Sequence, residues 1–77
     1  MTDFNLRLGQ VIARLRQRQN LSQEDLAEAA GVHRTYVSQI ERGIKSPTMK
    51  VFIRIAGALR TRPSAVLRMV EKEAREL

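Results

Sequence analysis

Residues 22–43 read SQEDLAEAAGVHRTYVSQIERG, and their spacing decides how the chain folds. Ser22 is a residue type that caps helix N-termini, and Asp25, three positions on, favours the positive end of a helix dipole. Leu26, Ala27 and Ala30 then recur at the spacing of one helix face. Gly31 follows, at a place where the left-handed conformation that ends a helix is cheapest for glycine. A second short helix covers roughly His33 to Arg42, with Val37 and Ile40 on its buried side, and Gly43 ends it. Helices this short, joined at one glycine, must cross steeply. Ala27 offers the small side chain that close crossing needs, and Val32 anchors the turn.

Gln23 to Arg42 therefore has the pattern of a helix-turn-helix unit, in which the second helix projects its N-terminal residues. Outward from it the chain continues as helix. The first helix runs from about Asn5 to Gln19, with Phe4, Leu8, Val11, Ile12 and Leu15 on one stripe, and Asn20-Leu21 breaks it. After Gly43, Ile44-Lys45-Ser46-Pro47 forms a loop. Thr48 caps a fourth helix with the stripe Phe52, Ile55, Ala56 and Leu59. Pro63 suits the first turn of a fifth helix, about residues 63–74, where its missing N–H costs nothing. Val66, Leu67 and Val70 carry that helix inward. The expected fold is all-α, a compact five-helix bundle occupying the 77 residues as one domain.

A chain of this length buries a limited core, so a partner subunit is its expected stabiliser. There is no cysteine and one histidine, which removes disulfides, thiolate chemistry and an obvious zinc site; no cofactor, metal or small-molecule substrate is expected. No plausible acid–base pair stands out, and an enzyme is not expected. No apolar run approaches the roughly 20 residues that span a bilayer. Met1-Thr2-Asp3-Phe4 lacks the order of a signal peptide, so the expected location is the cytoplasm, away from membranes.

The net charge is +6, and its position matters more than its size. Basic and acidic residues balance from Met1 to Ala30 and again from Pro63 to Leu77. Between Gly31 and Arg62 seven basic residues face Glu41 alone, so the whole excess sits in the middle third. That is the footprint of a polyanion site rather than of a uniformly basic surface.

With Val37 and Ile40 buried, the helix after Gly31 displays Arg34, Thr35, Ser38 and Gln39. Arginine pairs in bidentate fashion with guanine O6 and N7, glutamine with adenine, and a threonine methyl packs on the thymine methyl. These four are the candidate base contacts. A phosphate contact is the alternative for Arg34, and a capping role is the alternative for Thr35. His33 reads as the N-cap or turn residue. Tyr36 has two readings, partial burial against the preceding helix or a phosphate contact. Gln23 starts a helix whose free N–H groups attract phosphate. Arg42, Lys45 and Ser46, at and beyond the end of the reading helix, are candidate clamps on the backbone; Lys50, Arg54, Arg60 and Arg62 extend the same field or are simply solvated.

Leu21-Ser22-Gln23-Glu24-Asp25-Leu26-Ala27, Gly31-Val32 and Val37-Ser38-Gln39-Ile40-Glu41-Arg42-Gly43 together resemble the Cro/repressor-type (XRE) helix-turn-helix family, from about Val11 to Leu67. His33-Arg34-Thr35-Tyr36-Val37-Ser38 is similar to the controller proteins of restriction–modification systems. The resemblance implies a lambda-repressor-like domain that binds a palindromic operator in double-stranded DNA as a homodimer. It implies base reading at Arg34, Thr35 and Gln39, and phosphate contacts at Gln23, Tyr36, Arg42 and Lys45. Two positions depart from the family pattern. Arg60 stands where a glycine often ends the fourth helix, and Arg62 where Ser or Thr often caps the fifth; each change costs about 1 kcal/mol.

Ala65 and Met69 lie off the Val66–Val70 stripe and are the expected dimer interface, the alternative being that Met69 completes the core. Glu24 and Glu28, four residues apart beside the reading helix, serve either solubility and the helix dipole or contact with RNA polymerase. The tail from Glu71 alternates charge and reads as a solvated helix end. The competing function is an antitoxin of a toxin–antitoxin pair, which uses the same fold and also binds DNA.

Overall fold

The second, third and fourth helices begin and end where particular residues satisfy their terminal peptide groups. The structure, a computed structural model, describes the backbone of residues 2–76 and the side chains of residues 4–72. Its helices are α1 (Thr2–Arg18), α2 (Gln23–Ala30), α3 (Arg34–Glu41), α4 (Met49–Ala58) and α5 (Pro63–Glu76), and among the described residues there is no strand. The side chains of the charged tail beyond Lys72 lie outside the described residues.

Ser22 and Asp25 cap α2 reciprocally: the Ser22 hydroxyl accepts the Asp25 N–H at 2.9 Å, and the Asp25 carboxylate accepts the Ser22 N–H at 3.0 Å. The backbone N–H of Ser22, and then its side chain, hold the Asp25 carboxyl below the ordinary carboxylate range. His33 caps α3 through Nδ1, which accepts the Thr35 N–H at 3.0 Å, and Thr48 caps α4 by accepting the Val51 N–H at 3.2 Å. Pro63 opens α5 as expected, and the Arg62 carbonyl accepts the N–H groups of Ala65 and Val66.

The first four helices end alike. Asn20, Gly31, Gly43 and Arg60 all adopt left-handed backbone, with φ of 59°, 73°, 76° and 55°. Each donates its N–H to the carbonyl three residues back, and the next residue donates to the carbonyl five residues back. This double closure caps the last carbonyls of a helix and reverses the chain. Arg60 accepts the conformation that glycine would take more cheaply, so the corner between α4 and α5 is kept. The Leu59 carbonyl there accepts from Thr61 Oγ1 at 3.0 Å and from Gln19 Nε2 at the end of α1.

The apolar stripes form one core between the helices, with Leu26, Val37, Ile40, Ile55, Leu59 and Val66 wholly buried. Two side chains expected inside are not. Phe4 is 41% and Leu67 38% exposed, because both line an apolar groove of about 170 Å³ with Leu8, Met49 and Phe52 that no described residue fills. Met69 instead packs, half-buried, against the core.

α3 is carried by α1 as well as by α2. At Gly9, which is buried, a Cβ would collide with the carbonyl oxygens of Ile40 and Glu41, so only glycine lets α1 lie against the C-terminal end of α3.

Candidate nucleic-acid interface

The amphipathic pattern of α3 fixes what it shows to solvent. Val37 and Ile40 are buried against α1 and α2, leaving Arg34 and Thr35 exposed and Ser38 and Gln39 half-buried. The N-terminal turn of α3 thus stands out from the globule with its side chains free to meet a ligand. A groove of about 510 Å³ separates it from the start of α2, lined by Ser22, Gln23, Glu24, Arg34, Thr35, Ser38 and, from α1, Arg16.

The floor of this groove is tied by one carboxylate. Glu41 accepts from Arg16 Nε at 2.7 Å, from Arg16 Nη2 at 3.0 Å and from Gln23 Nε2 at 2.9 Å. Arg16 Nη1 also donates to the Leu21 carbonyl at 2.9 Å. The two charged side chains are only 13% and 6% exposed, so the pair is shielded from solvent and bidentate. Three helices, α1, α2 and α3, meet in this network, which ties the start of α2 to the end of α3. Its sequence signal was Glu41 itself, the lone acid in an otherwise basic third.

Gln23 is therefore held in place by one amide hydrogen, with the first-turn N–H groups of α2 beside it at the groove. Tyr36 is half-buried against the core. Arg42 ends α3 exposed, and Lys45 and Ser46 are exposed in the loop that follows. Lys50, Arg54, Arg60 and Arg62 are exposed as well. Glu24 and Glu28 lie on the outer face of α2, along a second groove with Asp25, Val32, His33 and Arg34. Ala65 and Met69 are half-buried on α5, whereas Met49 at 68% and Ile53 at 52% are the most exposed apolar residues of α4. No helix among the described residues is long and apolar enough to cross a membrane.

Two short helices joined at Gly31, the second with its first turn exposed, define a class, and comparison with known proteins agrees. Residues 12–66 match the helix-turn-helix family, to which the chain belongs. Among its relatives are proteins that control restriction–modification systems. Control protein C.SmaI of Serratia marcescens is 50% identical over 42 residues, a match spanning 54% of this chain and half of that protein. Control protein C.BamHI of Bacillus amyloliquefaciens is 39% identical over 66 residues, 82% of each chain. The controller C.Esp1396I, solved as a tetramer in complex with its natural 35 base-pair operator, superposes with a TM-score of 0.82 at 31% identity, covering 91% of this chain and 92% of that one.

Proposed function

We propose that the protein is a sequence-specific DNA-binding transcriptional regulator of the restriction–modification controller type, acting as a homodimer on a palindromic operator at its own promoter. The observation that carries this is the exposed first turn of α3, with Arg34 and Thr35 outermost, on a chain whose net positive charge is confined to that third. Arg34, Thr35, Ser38 and Gln39 face the base edges. Gln23 and the start of α2 take a phosphate on one side of the groove; Arg42, Lys45, Ser46 and the Tyr36 hydroxyl take the backbone on the other. The fold binds rather than catalyses, and a regulator of this kind works in the cytoplasm beside its gene.

The relatives named above are controllers, which favours this reading over the antitoxin. The two-fold interface lies on the α4–α5 side and includes Ala65 and Met69, and Met49, Ile53 and Leu67 expose apolar surface elsewhere on the same two helices. That arrangement sets two copies of α3 about 34 Å apart, one turn of DNA. On α2, Glu24 and Glu28 are free to touch RNA polymerase. Glu28→Lys then abolishes activation and spares operator binding; equal loss of both would contradict a polymerase contact.

Selection of sites from a random duplex pool, followed by footprinting, tests the function. The expected result is a two-fold symmetric, salt-dependent site with half-sites one turn apart. Binding without sequence preference would overturn the reading.

A further inference from the structure

We propose that His33 is a positioning residue for operator discrimination: uncharged, it fixes the first turn of the reading helix, and on protonation it releases that turn. The proposal rests on the reading of α3 as the DNA reader and adds to it a residue that need touch no base.

His33 Nδ1 accepts the N–H of Thr35 at 3.0 Å. A ring nitrogen that accepts carries no proton, so this is the neutral tautomer with its hydrogen on Nε2. The imidazolium has two donors and no acceptor. Protonation therefore breaks the cap and also sets a positive charge at the positive end of the α3 dipole. The turn that loses its cap is the one that carries Arg34 and Thr35.

The charged groups that share the groove with the ring are Glu24, Asp25 and Glu28 of α2 and Arg34 of α3. Asp25, held low by its capping box, remains a carboxylate wherever a histidine titrates. No other residue of the chain is a histidine, so a histidine titration here has one source.

Two opposite effects on DNA follow, and sequence separates them. The loosened turn weakens base reading, while the added charge strengthens attraction to any phosphate backbone. Discrimination falls as pH falls, although binding to arbitrary DNA does not.

The test uses two duplexes of equal length, one selected by the wild-type protein at pH 8 and one with the same bases scrambled. Their affinity ratio is measured at pH 8 and at pH 5.5 for wild type, His33→Asn and His33→Ala. Asparagine caps without titrating. The wild-type ratio is expected to drop roughly three- to ten-fold at pH 5.5, with the scrambled duplex bound at least as well. His33→Asn should keep the high ratio at both pH values, and His33→Ala should show the low ratio at both. A wild-type ratio that does not change, or a pH dependence that survives in His33→Asn, would overturn the proposal. Failure of the wild type to discriminate at pH 8 would instead overturn the DNA-reading assignment itself.

Discussion

The carboxylate of Glu41 accepts from Arg16 and Gln23, residues 25 and 18 positions away along the chain. Such partners share no helix turn, so the network was not legible in the sequence, where Glu41 showed only as an isolated acid. Removing one member of a shielded ion pair leaves the other desolvated and unpaired. Glu41→Ala is expected to lower stability by about 3 kcal/mol, read as a reduced urea midpoint with unchanged slope. Arg34→Ala should cost about 1–3 kcal/mol on a selected site and relax its sequence preference, whereas Lys45→Ala should weaken all duplexes alike and lower the salt slope by about 1. The reverse ranking, measured by titration over a range of salt, would mean that reader and clamp have been exchanged.

Among the elements, the caps were legible because their chemistry is local. Ser22 with Asp25, Gly31, Thr48 and Pro63 each act within a few residues, and each stands where the sequence put it. Arg60 was legible only as a departure; that it takes a left-handed φ of 55° depends on the chain having to turn there to pack α5. Arg60→Gly should relieve this, raising stability by about 0.5–1 kcal/mol after the extra freedom it gives the unfolded chain. Gly9 gave no sequence signal, because the carbonyls it meets belong to the far end of α3. Gly9→Ala forces those backbones apart and should cost about 1–3 kcal/mol; a thermal melt decides. The capping box of α2 adds a pH dependence of known sign. A carboxyl whose folded pKa lies below its unfolded value stabilises at higher pH and loses that contribution as pH falls through the folded value. Melting temperature should therefore drop on acidification below the ordinary aspartate range, and Asp25→Asn should remove that part of the drop.

For the whole molecule, periodicity was enough to give five helices around one core, since each stripe buries against the others. It misplaced Phe4 and Leu67, because whether a terminal turn is covered depends on the ends of other helices. The apolar groove left there adjoins Met49, and Ile53 lies one turn further along α4. Ile53→Glu is expected to shift sedimentation from dimer to monomer and to weaken operator binding, leaving the helical spectrum intact. A variant that stays dimeric would move the interface elsewhere.

Placement of the start of α3 in the major groove is decided by methylation interference on a selected duplex. Guanine N7 faces the major groove and adenine N3 the minor groove. Methylation at guanine N7 should block the wild-type protein symmetrically in both half-sites, and Arg34→Ala should become indifferent to one such guanine in each. Interference at adenine N3 alone, or an N7 pattern unchanged by Arg34→Ala, would contradict that placement.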